Sequence, residues 1–99
     1  MTKIAPTETV IAGRWIPSNQ GTVREDANCQ RIALLIRTHL KELGRDRSGW
    51  DALYRDPDDG RLWELVYARS DQHGGGPPEL RNLRTDEAIA KYGADAVKR

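Results

Sequence analysis

Residues 48–67 read Ser48-Gly-Trp-Asp-Ala-Leu-Tyr-Arg-Asp-Pro-Asp-Asp-Gly-Arg-Leu-Trp-Glu-Leu-Val-Tyr67, and they predict a β-hairpin. Two runs of alternating residues flank Pro57-Asp-Asp-Gly60, where proline suits a fixed φ and glycine suits a positive φ. If Asp56 faces Arg61, alternation gives an aromatic face made of Trp50, Ala52, Tyr54, Trp63, Leu65 and Tyr67. The other face then carries the mixed set Asp51, Leu53, Arg55, Leu62, Glu64 and Val66.

An amphipathic helix is predicted over residues 26–43. Apolar residues recur there at three- and four-residue steps, at Cys29, Ile32, Ile36, Leu40 and Leu43. Asp26 is the expected N-cap, and Gly44 the expected C-terminal stop. Because the hairpin has an apolar aromatic face to bury, we expect this helix to cover it.

The rest of the chain supplies shorter elements. Residues 9–16 and 79–84 are predicted as strands, and 17–21 as a turn. Residues 85–93 predict a short helix with Thr85 as its N-cap and Gly93 after its end. The order β-α-β-β-β-α predicts an α+β fold, a small antiparallel sheet of about four strands with one long and one short helix on one side. We expect a single domain over residues 1–99, with loose ends at 1–7 and 94–99.

Composition excludes several classes of function. Sixteen Lys and Arg nearly balance fifteen Asp and Glu, for a net charge of +1. A nucleic-acid binder usually has a basic excess, so we do not expect the aromatic hairpin to stack on bases. The one cysteine, Cys29, cannot form a disulfide within the chain, which suits a reducing cytosol. With no signal-like or membrane-spanning apolar run visible, the expected location is the cytoplasm.

No catalytic set or metal site is predicted. The only histidines are His39 and His73, and Cys29 lies ten residues from His39 on the predicted helix, too far to share a metal ion with it. The acidic residues around the hairpin are explained by turn chemistry, with no activated nucleophile beside them. We therefore expect neither enzymatic activity nor a cofactor.

The glycine loop His73-Gly-Gly-Gly-Pro-Pro78 leaves one alternative open. Backbone N–H groups in such a loop can surround an anion, so the chain could be a small anion- or nucleotide-binding module. Two prolines remove donors from the loop, however, and no helix start with a Lys and a hydroxyl follows it. A chain reversal with a stiffened exit is the simpler interpretation.

An ordered set of short motifs resembles the immunity protein 27 family. It comprises Gly49-Trp-Asp51, Leu53-Tyr-Arg-Asp-Pro57, Asp59-Gly-Arg61, Trp63-Glu-Leu65 and the glycine loop, with Gly13, Trp15, Asp26, Cys29, Arg31, Ile32 and Lys91-Tyr-Gly93 around them. The segment 68–72 departs from the more usual proline-containing form. The resemblance implies a cytoplasmic protein of a bacterial polymorphic toxin system. Such a protein neutralises a cognate toxin domain by stoichiometric occlusion, without turnover or cofactor.

This function requires a contact surface for the toxin. Since interface anchors tend to be aromatic or Arg, and a rigid loop can present them, we expect contacts from Arg55, Asp56, Glu64, Arg69, His73, Gly74, Gly75 and Gly76. The aromatic residues are expected to form a structural cluster of Trp50, Tyr54, Trp63 and Tyr67. The toxin domain is the expected partner, with no membrane or nucleic acid, and the protein is expected to be a monomer or weak homodimer.

Overall fold

The computed structural model describes residues 3–17, 23–25, 27–67 and 77–99, with only the backbone described for 15–17 and 23–25. An antiparallel five-stranded sheet has the order β1-β7-β6-β5-β4, and β2 pairs with β3 in a separate two-stranded sheet. The predicted α+β class is confirmed. The strands and helices are β1 (Val10–Ala12), β2 (Trp15–Pro17), β3 (Val23–Glu25), α1 (Ala27–Thr38), β4 (Lys41–Arg45), β5 (Ala52–Arg55), β6 (Leu62–Val66), β7 (Glu79–Leu83), α2 (Thr85–Tyr92) and α3 (Ala94–Val97).

The hairpin of β5 and β6 forms in the predicted register. Tyr54 pairs with Trp63 and Ala52 with Leu65. The backbone N–H of Asp56 donates to the carbonyl of Arg61 at 2.9 Å, closing the turn. Gly60 has a φ of +77°, a value that L side chains rarely adopt. Local alternation and turn chemistry were therefore sufficient to predict this register.

As expected, α1 covers the central part of the aromatic face, where Ala52, Tyr54, Trp63 and Leu65 are buried. Ile32 and Leu35 of α1 meet the sheet in a core that also takes in Ile4 from the N-terminal segment. The other members of this core are Ile11, Leu40, Ala52, Tyr54, Trp63, Leu65 and Leu80. Trp63 is completely buried, so solvent does not reach the centre of the sheet on this side.

The opposite face is covered by α2 and α3, whereas all helices were expected on one side. Leu53 faces away from Ala52 and Tyr54, as neighbours on a strand must. It packs in a second core with Leu43, Leu62, Ala88 and Ala96. The expectation failed because the mixed face holds enough Leu and Val to need a cover of its own, once the strand pairing is complete.

The long helix ends earlier than predicted, and a further strand follows it. α1 stops at Thr38, whose hydroxyl donates to the Leu34 carbonyl at 2.7 Å, and the backbone N–H of Leu40 donates to the Leu35 carbonyl at 2.8 Å. The chain then enters β4. Leu40 joins the core under α1 while Leu43 joins the core on the other face. The two leucines match the helical period by coincidence, because a single helix could not place them on opposite faces of the sheet. Asp26, the predicted N-cap, lies outside the described residues.

The described residues near both ends of the chain are held more firmly than expected, and Ile4 is buried in the core under α1. Arg31 donates to both carboxylate oxygens of Glu8, at 2.7 Å each. Residues 94–99 were predicted to be loose, but they include α3, in which Ala96 is buried. Helix α2 begins one residue earlier than predicted, because Thr85, the expected N-cap, is its first helical residue and Arg84 is its N-cap. Among the described residues, no helix combines the length and the apolar character that crossing a membrane requires.

Candidate functional site

The predicted aromatic cluster is divided between the core and the surface. Tyr54 and Trp63 are buried under α1, whereas Trp50 is 68% exposed. Trp50 contacts Tyr67 edge to face, with ring centroids 6.4 Å apart and an interplanar angle of 80°. A large exposed aromatic residue is informative because such side chains are enriched at protein interfaces. Of the four residues predicted to form a structural cluster, Tyr54 and Trp63 thus lie in the core, whereas Trp50 lies at the surface.

Trp50 is carried by a loop with a defined backbone conformation. The carboxylate of Asp46 accepts hydrogen bonds from the Ser48 hydroxyl at 2.7 Å and from the backbone N–H groups of Gly49 and Asp51 at 3.0 and 3.3 Å. The Ser48 hydroxyl in turn accepts from the Trp50 backbone N–H at 3.1 Å. The hydrogen bonds that the Asp46 carboxylate accepts, above all the one from the Ser48 hydroxyl, lower the pKa of Asp46. The loop presents Trp50 with much of its backbone already ordered.

Charged side chains flank this loop. Arg47 is exposed at its tip, and Arg45 at its base donates to the Glu42 carboxylate at 3.1 Å. On the other side Lys91 bridges two carboxylates, with Nζ 2.7 Å from Asp51 Oδ2 and 2.6 Å from Glu64 Oε2. Along the chain, the exposed Trp50 thus lies between the exposed Arg47 and Asp51, which pairs with Lys91.

Glu64, predicted to contact the partner, has a structural environment instead. Its side chain is only 1% exposed. It accepts hydrogen bonds from Tyr92 Oη at 2.7 Å and Arg81 Nε at 3.1 Å, in addition to the Lys91 pair. Burial alone would raise the pKa of Glu64, but the bonds from Lys91, Tyr92 and Arg81 outweigh burial and lower it. The residue is a fixed anion between the sheet and α2.

Arg55 and Asp56 are also engaged within the protein. The Arg55 guanidinium donates to the Val97 carbonyl of α3 and to the Gly60 carbonyl. Asp56 is 1% exposed and lies at the end of β5. Its Oδ1 is 3.0 Å from His39 Nε2 and accepts the Asp58 backbone N–H at 2.8 Å. Helix packing on the mixed face and the early end of α1 explain these environments, which alternation along the hairpin could not reveal.

The other predicted contacts lie outside the described residues. These are Arg69, His73, Gly74, Gly75 and Gly76, which follow Tyr67 along the chain. The anion-binding alternative falls on the same loop, so nothing in the described residues supports it.

One group of side chains among the described residues has the composition of a metal site. Ligand atoms of His39, Asp56 and Asp58 all lie within 4.8 Å of one another. His39 was expected within the longer predicted helix, and Asp58 was attributed to the turn. The early end of α1 brings the imidazole to the hairpin turn, a contact that no sequence spacing indicated.

Comparison with known proteins decides the family. Residues 18–84 match the family described as Immunity protein 27. The chain belongs to the immunity protein 27 family. The family match includes Trp50, the whole β5–β6 hairpin and the glycine loop, whereas β1, β2, α2 and α3 lie outside it. No similar protein was found among the curated proteins or the solved structures.

Membership of the immunity protein 27 family confirms the resemblance carried by the hairpin motifs. It gives the chain an immunity function. The signal that sequence reasoning missed was the position of Trp50, which lies before the first residue of β5 and directly after Ser48-Gly49. A tryptophan that precedes a strand belongs to a loop, and it need not be buried like the residues of the strand.

Proposed function

We propose that this protein binds a cognate toxin domain of a bacterial polymorphic toxin system and neutralises it by stoichiometric occlusion. Membership of the immunity protein 27 family is the observation that carries this proposal. The protein acts as an inhibitor without turnover or cofactor, in the cytoplasm of the producing cell, as a monomer or weak homodimer. One toxin domain is bound per chain.

The contact surface that we propose is centred on Trp50. Tyr67 packs edge to face against it, and the exposed Arg47 lies three positions earlier in the same loop. Trp, Tyr and Arg are the residues that most often dominate binding energy at interfaces. Arg69, His73 and the three glycines remain proposed contacts, since they follow Tyr67 in the chain. Asp56 and Glu64 are buried and take no direct part, while Arg55 holds α3.

The ordered loop would reduce the entropic cost of association. Hydrogen bonds to the Asp46 carboxylate already restrict the backbone around Trp50, and a preorganised anchor loses less freedom on binding. A tryptophan side chain can bury roughly 150–250 Å², a small part of the roughly 1,600 Å² of a standard interface. Trp50 is therefore proposed as an anchor, with the residues around it excluding water.

The test is to co-express the protein with the toxin domain encoded beside its gene and to measure the affinity of the purified pair by calorimetry. We expect growth rescue and a one-to-one complex. Trp50→Ala should weaken binding by about 2 kcal/mol or more, roughly 30-fold. Val10→Ala is the matched control, because Val10 is another exposed apolar residue, 53% accessible, on the opposite edge strand β1.

Two results would count against the proposal in different ways. Absence of both a complex and rescue would exclude neutralisation of that toxin. A tight complex that tolerates Trp50→Ala and Arg47→Glu as well as Val10→Ala would leave neutralisation standing and refute the surface proposed for it.

A further inference from the structure

The end of α1 and the turn of the β5–β6 hairpin bring an imidazole and two carboxylates together. His39 Nε2 lies 3.0 Å from Asp56 Oδ1 and 3.6 Å from Asp58 Oδ2. In a tetrahedral zinc site, bonds of about 2.0 Å place neighbouring ligand atoms about 3.3 Å apart. The two separations from His39 lie on either side of that value. All three ligand atoms lie within 4.8 Å of one another, so one ion could contact all three groups after side-chain adjustment.

The carboxylate of Asp56 is incompletely satisfied within the described protein. Oδ1 accepts from Asp58 N–H and faces His39, whereas Oδ2 is buried without a hydrogen-bond partner. A buried carboxylate oxygen without a partner is costly, because it has lost water and gained nothing in return. A cation bound beside His39 would supply the missing counter-charge.

We propose that His39, Asp56 and Asp58 form a binding site for a divalent transition-metal ion of the zinc type. Two carboxylates and a neutral imidazole carry a charge of −2, which balances such an ion. The imidazole disfavours Ca²⁺ and Mg²⁺, which take oxygen ligands. This site is independent of the proposed toxin surface and would join the C-terminal end of α1 to the hairpin turn.

The surroundings of the site permit entry of an ion. Asp58 is half exposed, and its Oδ2 is 3.4 Å from Lys3 Nζ, itself 54% exposed. Exposed ion pairs of this kind contribute little to stability, so Lys3 can move away when a metal arrives. The side chain of His39 is mostly buried, at 13% exposed, which fixes the imidazole next to Asp56 before binding.

The competing explanation is a plain His39–Asp56 hydrogen bond with Asp58 acting only in the turn. The two explanations differ in what Asp58 does. A turn residue makes no contribution to zinc affinity, whereas a ligand does. Asp58→Asn is the decisive variant because its exposed side chain can be changed without disturbing the core.

The experiment measures Zn²⁺ binding to the full chain by competition with a chromophoric chelator, together with the melting temperature with and without Zn²⁺. We expect one ion per chain and a higher melting temperature with Zn²⁺. Asp58→Asn and His39→Gln should each lower the affinity on the order of tenfold or more. Asp59→Asn, in the same turn but paired with Arg61 at 2.7 Å, and His73→Gln, which removes the other histidine, should bind like the wild type.

Each alternative result overturns the site. A wild-type protein that does not bind Zn²⁺, or an Asp58→Asn variant that keeps wild-type affinity and the thermal shift, would show that the cluster is only a hydrogen-bonded pair. Equal losses in Asp59→Asn or His73→Gln would show that the ion is held elsewhere on the chain.

Discussion

The hydroxyl of Tyr92 donates a 2.7 Å hydrogen bond to Glu64 Oε2, which joins α2 to the middle strand of the five-stranded sheet. Lys91 Nζ lies 2.6 Å from the same oxygen, and Arg81 Nε donates to the other at 3.1 Å. Because burial would otherwise penalise the charge of Glu64, this set of donors makes an ionised Glu64 compatible with the core between the sheet and α2.

Replacing Glu64 should therefore destabilise the fold. In Glu64→Gln the side chain keeps its shape but loses its charge, and its amide group meets donors. We expect the free energy of unfolding in urea to fall by about 1–3 kcal/mol. Asp86→Asn is the control, since Asp86 and its partner Arg84 are 71% and 76% exposed, and it should change stability by less than about 0.5 kcal/mol. Equal midpoints for the two variants would contradict the structural role of Glu64.

Acid should weaken the attachment of the N-terminal segment. The pKa of Glu8 is lowered from 4.5 to about 2, chiefly by hydrogen bonds from Arg31 and also by one from the Ala5 backbone. A carboxylate whose pKa is lower in the folded state stabilises the protein above its unfolded pKa, and this contribution is lost as the pH falls through the folded value.

The free energy of unfolding should therefore decrease between pH 4.5 and about pH 2. Glu8→Gln should show a shallower decrease, with Glu64 contributing to the part that remains, because its pKa is lowered too. Urea unfolding across this range measures both slopes. Superimposable pH profiles would mean that the Glu8–Arg31 pair does not distinguish the folded from the unfolded state.

Gly13 is a position where a side chain would not fit. A Cβ atom there would lie 2.5 Å from Cys29 Sγ and 2.7 Å from the Pro78 carbonyl, which the Gly13 N–H itself contacts at 2.8 Å. Gly13→Ala should cost about 1–3 kcal/mol through the forced shift of β1 or α1. Gly44→Ala is the matched comparison, since its Cβ would meet Ala96 at an ordinary 3.5 Å. If both variants unfold at the same urea concentration, the close approach at Gly13 is not rigid.

The C-terminal helix should contribute to stability although it lies outside the family match. Removing residues 94–99 uncovers part of the core at Leu43, Leu53 and Leu62 and removes the contact of Val97 with Arg55. We expect a loss of about 2 kcal/mol or more from the exposed apolar area. Removing only residues 98–99 should cost about 1 kcal/mol, since the main loss is the 2.9 Å bond from Arg99 to the Leu43 carbonyl. A full truncation as stable as the wild type would contradict a structural role for α3.

Replacing the two tryptophans of the predicted cluster should change the stability of the fold by very different amounts. Trp63 is fully buried, and the Cζ atom of the Arg61 guanidinium lies over its ring, 4.9 Å from the ring centroid. Trp63→Ala should cost about 3–5 kcal/mol, while Trp50→Ala should change stability by less than about 0.5 kcal/mol. Chemical unfolding of both variants makes the comparison. A large loss in Trp50→Ala would show that the residue supports the fold and would weaken its assignment as an anchor for a toxin.

The hairpin was predictable because its signals are local. Alternation along residues 52–55 and 62–66 gives each side chain a face, and Pro57-Asp-Asp-Gly60 sets the turn, so the pairing of Tyr54 with Trp63 follows. The α+β class and the family resemblance depend on the same short-range pattern. None of these conclusions requires knowing which distant segment covers which face.

Long-range packing decided the rest of the fold and most of the candidate site. Leu40 and Leu43 fit a helical period, but Leu40 packs in the core on one face of the sheet and Leu43 in the core on the other. Because one helix cannot reach both faces, α1 ends at Thr38. The same packing buries Glu64 beneath α2. It leaves Trp50 exposed in the loop that precedes β5, and it brings His39 next to Asp56. Alternation assigns a side chain to a face, whereas burial depends on which segments fold back over that face, and those contacts join residues far apart in the chain.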